Sequence, residues 1–156
     1  RAEFGARALG ARSILADPRD ARVKADINAK VKYRESFRPF APTVLYDRQE
    51  EYFATPVFSP YMSFAVRARP GTEARIPAVI HADRTARIQS LTRDQDPFYY
   101  SVVQAVERLT GIPVVLNTSF NIRGEPVVYS PEDALDTFER SGLDVMALGP
   151  FLVYKH

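Results

Sequence analysis

Apolar residues fall into two spacings along this chain, one that suits strands and one that suits helices. The runs "PFAPTVLY", "YMSFAVRA", "IPAVIHAD", "TARIQSL", "PVVLN", "DVMALG" and "FLVYK" are short and rich in β-branched or aromatic residues, and each predicts a strand. "PVVLN" reads as buried on both faces because its apolar run is unbroken. Helical spacing appears in three places. Asp20 is placed to cap a helix running to about Lys32, with Val23, Ile27 and Val31 on one face. Asp96-Pro97 starts a second, with an apolar face of Phe98, Val102, Val106 and Leu109 and with Gly111 closing it. Ser130-Pro131-Glu132-Asp133 resembles a capping box for a third, ending near Arg140. "RQEEYF" suits one or two helical turns, Asp17-Pro18 is a turn signal, and residues 5–15 have no assignable pattern. Strands alternate with helices, though not strictly. The reading is one α/β domain over residues 1–156 with a mixed sheet, without repeats or low-complexity linkers.

Composition narrows the setting more than the fold. A 46% hydrophobic fraction over 156 residues supplies a real core. No apolar run is long enough for a membrane span and no signal peptide is visible, which fits a cytoplasmic setting. Without cysteine there is neither a disulfide framework nor thiolate chemistry. The first residue is not Met and the chain opens inside a patterned segment, so it reads as a piece of a longer protein.

Charge is uneven. Residues 1–38 hold ten basic and five acidic side chains; the remainder holds eleven basic and fourteen acidic. Arginine outnumbers lysine 17 to 4, which suits carboxylate or phosphate oxygens as well as simple codon bias. A net charge of +2 argues against a dedicated nucleic-acid binder.

Four segments carry candidate chemistry. In "PVVLNTSFNIRGEPVV" a buried strand ends in Asn117, Ser119 and Asn121, more hydrogen-bonding groups than a turn needs. These could hold a ligand at a strand end or tie the loop to itself. In "KVKYRESFRPFAP", Lys32 and Arg34 would face one way around Tyr33 if the stretch is extended, a row of cations suited to a triphosphate; the alternative is a solvated helix end. In "HADRTARIQ", Thr85, Arg87 and Gln89 share one strand face and Ala86 and Ile88 the other, so Arg87 could reach a ligand or solvent. In "GARALGARSILADPR", Arg7 and Arg12 suit ligand binding or a domain contact, and no Walker A or dinucleotide pattern is present. Two histidines, one of them terminal, argue against a histidine-built metal site, and no metal ligand is assigned. Mg²⁺ carried with a nucleotide remains compatible. Cations with hydroxyl and amide partners suit phosphoryl or adenylyl chemistry.

In order along the chain, "GARALGARSILADPRD", "KYRESFRPFAP", "HADRTARIQ" and "LNTSFNIRGEPVV" resemble the C-terminal domain of the NodU/CmcH-type O-carbamoyltransferases, from about Gly5 to Lys155. The resemblance implies a YrdC-like mixed twisted sheet with flanking helices and an open concave ligand surface. It implies that Lys32/Arg34 and Ser119/Asn121 are the family's K-x-R and S-x-N pairs and that Arg87 is a further ligand position. It implies that carbamoyl phosphate and ATP with Mg²⁺ form carbamoyl adenylate here. A preceding Kae1-like domain then moves the carbamoyl group to a hydroxyl of a small-molecule acceptor. Lys32, Arg34, Arg87 and Ser119 become the catalytic candidates, with Asn117, Asn121, Arg7 and Arg12 added for binding. A non-catalytic RNA- or nucleotide-binding module and a docking domain are the rival readings. The chain departs from the family in two places: Gly5-Ala6-Arg7 stands for the usual Gly-Pro-Arg, and Arg84 for the usual Gly.

Overall fold

The computed structural model describes Glu3, residues 5–33 and residues 38–155. Its centre is a four-stranded mixed sheet in the order β1-β6-β2-β5, built from β1 (Ser13–Ala16), β2 (Ala41–Leu45), β5 (Gln89–Leu91) and β6 (Val114–Ser119). β6 runs antiparallel to both β1 and β2, and β2 runs parallel to β5. Two antiparallel ribbons complete the strands: β3 (Ala65–Arg67) with β4 (Thr85–Arg87), and β7 (Val145–Leu148) with β8 (Phe151–Tyr154). Four helices flank them: α1 (Arg22–Ile27), the single turn α2 (Thr72–Arg75), α3 (Pro97–Thr110) and α4 (Pro131–Arg140). This is the expected α/β architecture.

Alternation along the strands sorts side chains onto the two sheet faces. Val44, Val114 and Leu116 face α1 and the β3–β4 ribbon, packing with Ile27, Phe40, Ala86 and Ile88. Leu45, Leu91 and Val115 face α3 and meet Tyr99, Tyr100 and Val103. A third cluster, with Val31, Phe120, Phe138 and Met146, holds α4 and the β7–β8 ribbon beside β1.

Local rules account for the two longer helices. The Asp96 carboxylate accepts the Tyr99 N–H at 2.9 Å, Pro97 opens α3, and Gly111 ends it in the left-handed region at φ 75°. At α4 Ser130 and Asp133 cap each other's backbone N–H groups, a complete capping box.

Several expectations need correcting. α3 turns a partly different face inward: Val102 and Val106 pack against the core as expected, but Phe98 and Leu109 are 77% and 86% exposed, while Tyr99, Tyr100 and Val103 are buried. The Tyr99 hydroxyl bonds Thr43 on the sheet, and that tertiary contact overrides the apolar stripe. "IPAVIHAD" is not a strand. Pro77–Val79 form a 3₁₀ turn that drives Ala78 and Val79 into the core. "YMSFAVRA" is extended only from Ala65, after a left-handed Met62. "TARIQSL" splits at Ile88, where the chain leaves the ribbon and joins the main sheet. The first helix stops being α at Ile27 and continues as a wider π turn, Asn28–Lys32. Val31 therefore packs in a different cluster from Val23 and Ile27.

Candidate functional site

Three distant stretches meet at one end of the sheet. A hollow of about 420 Å³, open to solvent, lies where β6 ends, β2 begins and β4 ends. Asn117, Thr118 and Ser119 line it from β6, Ala41 from β2 and Arg87 from β4; Arg7 and its neighbours form the remaining wall with Phe40 and Met62. It is an opening outside strand termini, where sheets with mixed topology leave backbone free for ligands.

Arg87 is the site's charge. It stands half-buried on the β4 edge, its Nε is buried, and among the described residues that Nε has no hydrogen-bond partner. Burial, and secondarily the Arg7 cation, pull its proton affinity below the ordinary arginine range. A guanidinium remains protonated regardless, so the hollow holds a desolvated positive charge facing a second cation. An anion is the natural complement.

Lys32 has a different setting. Its side chain leaves the end of the π turn and is only 6% exposed. Nζ donates into four oxygens: Ser119 O at 2.6 Å, Ser119 Oγ at 3.2 Å, Asn121 O at 2.9 Å and Asn121 Oδ1 at 2.8 Å. The Ser119 hydroxyl donates to Asn121 Oδ1 at 2.6 Å, and Asn121 Nδ2 donates to Glu125 O at 2.8 Å. The structure thus gathers Lys32, Ser119 and Asn121 into one knot that shapes the loop after β6. Ser119 also lines the hollow; Lys32 and Asn121 reach it only through their contacts with Ser119. Tyr33 is not extended: it is left-handed at φ 44° and closes the π turn through its N–H to Asn28 O. Arg123 Nη1 donates to the Tyr33 carbonyl at 2.9 Å and ties the two motifs together. Arg34 lies outside the described residues.

The two N-terminal arginines part company. Arg7 lines the hollow, whereas Arg12 donates to the Tyr129 carbonyl at 3.0 Å and does not. Arg84 is exposed, at φ 63°, and pairs with Glu73. A left-handed position favours glycine, and the ion pair holds this guanidinium at Glu73.

Under Asn117 lies a polar chain that sequence reasoning did not assemble. Asn117 Nδ2 donates to Thr43 Oγ1 at 3.1 Å and to Gln89 Oε1 at 2.9 Å. Thr43 donates to Gln89 Oε1 at 2.6 Å and accepts from the Tyr99 hydroxyl at 2.9 Å. Gln89 Nε2 donates to the Leu9 carbonyl at 2.8 Å, carrying the chain to the loop that holds Arg7. Polar residues at inward positions of buried strands were the available signal: Thr43 in "APTVL" and Gln89 in "QSL".

Among the described residues no carboxylate lines the hollow, and no group of three or more His, Asp or Glu is placed to hold a metal ion. No described helix is long and apolar enough to cross a membrane.

Comparison with known proteins agrees with the sequence motifs. The chain is 49% identical over 158 aligned residues to nodulation protein NolO of Bradyrhizobium diazoefficiens, covering 99% of this chain and 29% of that protein. It is 47% identical to nodulation protein NolNO of Sinorhizobium fredii, again over 99% of this chain, and 23% of that protein. Nodulation protein U of Rhizobium tropici is 44% identical over 80% of the chain and 21% of its own length. The chain therefore spans less than a third of these relatives. The profile of the carbamoyltransferase C-terminus family matches residues 1–155, and the chain belongs to that family.

Proposed function

We propose that the hollow binds carbamoyl phosphate beside ATP and supports formation of carbamoyl adenylate. In the whole protein a preceding Kae1-like domain then transfers the carbamoyl group to a hydroxyl acceptor. The observation that carries this reading is Arg87: a half-buried cation with a buried, unpartnered Nε, lining the same opening as Arg7. Membership of the carbamoyltransferase C-terminus family names the chemistry that such an anion site serves.

In the adenylation a carbamoyl oxygen bonds to the α-phosphorus of ATP and the bond to pyrophosphate breaks. Atom balance over the whole conversion takes up one water and releases orthophosphate with pyrophosphate. Charge on the transferring phosphoryl oxygens needs donors already oriented toward it. Arg87 and Arg7 supply the positive charge, and the Ser119 hydroxyl is held by Asn121 and Lys32. Mg²⁺ enters as part of the nucleotide substrate.

The test is carbamoyl-phosphate-dependent ATP/pyrophosphate exchange in the full-length protein. Arg87→Ala should abolish exchange while leaving circular dichroism and cooperative unfolding intact. Wild-type exchange in that variant contradicts the assignment.

A further inference from the structure

Asn117 is 1% exposed, yet its carbonyl oxygen has no hydrogen-bond partner among the described residues. The orientation of this amide is forced by its neighbours. The Leu9 carbonyl can only accept, so the Gln89 atom facing it at 2.8 Å is the NH₂ and the other Gln89 atom is the oxygen. Gln89 Oε1 then accepts from Thr43 Oγ1 and from Asn117 Nδ2. Thr43 has spent its single proton on Gln89, so it accepts from Asn117 as well. Turning the Asn117 amide over would set oxygen against oxygen at both contacts. Its NH₂ is therefore consumed inside the protein, and its C=O is what remains for an occupant of the hollow.

Among the described residues, Arg87 Nε is the other buried, unpartnered group lining that hollow, and it is a donor. One spare acceptor and one spare donor complement an amide, H₂N–C=O. Buried polar groups without partners are costly, so a ligand that satisfies both is favoured over one that satisfies either alone.

We infer that Asn117 Oδ1 accepts an N–H of the carbamoyl group while Arg87 Nε donates to its carbonyl oxygen, which makes Asn117 the residue that selects carbamoyl over acetyl phosphate. This rests on reading the hollow as the carbamoyl phosphate site. The two acyl phosphates differ by NH₂ in place of CH₃, groups of nearly equal size. Shape separates them poorly, whereas a site built to bond an N–H rejects the analogue that lacks it. The Thr43–Gln89–Tyr99 chain acts as the positioning device behind Asn117.

The experiment is calorimetric titration of the 156-residue chain with carbamoyl phosphate, acetyl phosphate and inorganic phosphate. Carbamoyl phosphate should bind at least tenfold more tightly than acetyl phosphate. In Asn117→Leu that preference should vanish, with acetyl and inorganic phosphate affinities unchanged within about twofold. Equal affinity of the unaltered chain for both acyl phosphates overturns the inference without recourse to any variant, and leaves the anion-site reading standing. A folded Asn117→Leu that loses all three ligands to the same degree overturns it as well. No binding of any of the three to the unaltered chain overturns the carbamoyl phosphate site itself, and this inference with it.

Discussion

Replacing Lys32 by Met keeps most of the aliphatic stem and deletes the ammonium. Three N–H donors serve four oxygens there, so at least one hydrogen bond is shared. Asn121 Oδ1 keeps the Ser119 hydroxyl as a donor after the change. The backbone carbonyls of Ser119 and Asn121 lose the lysine. Each carbonyl stranded without a donor costs about 1–3 kcal/mol. The gain from no longer burying an ammonium offsets part of that sum. Hydrogen bonds to a charged group are worth about 1.5–3 kcal/mol each, so the two lost at the backbone carbonyls, less that gain, set the expected loss at about 3–5 kcal/mol. At about 2–4 °C per kcal/mol for a chain of this size, Tm should fall by roughly 6–20 °C. Urea unfolding reads the loss directly, provided the slope m is unchanged. A surface cation facing only a ligand would cost less than about 0.5 kcal/mol. A Lys32→Met variant within about 1 kcal/mol of the parent refutes the knot as the organiser of the loop after β6.

Three further outcomes follow from the same structure. Arg84→Gly relieves about 1 kcal/mol of left-handed strain and gives up an exposed ion pair worth about 0–1 kcal/mol, so stability by urea unfolding should hold or rise slightly, and a 2 kcal/mol loss contradicts this. Gly10→Ala places a Cβ 2.4 Å from Tyr99 Cδ1 at a φ of 134°, and thermal unfolding should show a loss above about 2 kcal/mol. Burial pushes the Tyr99 phenol above its ordinary value, with the same direction at Tyr52 and Tyr100. For an acid raised in the folded state, the unfolded chain ionises first, near pH 10. Stability is then full below about pH 10 and drains as pH rises beyond it. Tyr99→Phe should flatten that alkaline limb in pH-dependent urea midpoints and cost about 1 kcal/mol at neutral pH through the lost Thr43 contact.

What could be read from sequence was whatever local chemistry settles. Asp96-Pro97 and Ser130–Asp133 cap their helices through their own side chains, and the β7–β8 ribbon turns at Gly149-Pro150. Distant partners hid the rest. Pro77–Val79 is apolar enough for a strand, and only its burial as a 3₁₀ turn distinguishes the two. Half of the expected inward face of α3, Val102 and Val106, does pack on the core; Tyr99, bonded to Thr43 56 residues away, had no local signal. In the site, Arg87, Ser119 and Asn117 were recognisable as unusual side chains for their strands. Of the two alternatives for the polar insert, Asn121 does tie the loop to itself, and Asn117 has a side-chain carbonyl without a partner among the described residues. The Thr43–Gln89–Asn117 chain had no local signature, since its members sit on three strands that meet only once the sheet forms.

The central claim is that residues from three separate strands make one anion-binding hollow. Soaking crystals of the chain with carbamoyl phosphate and MgATP tests it most directly. A phosphate oxygen within hydrogen-bond reach of the Arg87 guanidinium, with the ligand against Asn117–Ser119, is the predicted result. Ligand density on another face, with the hollow left to water, contradicts it.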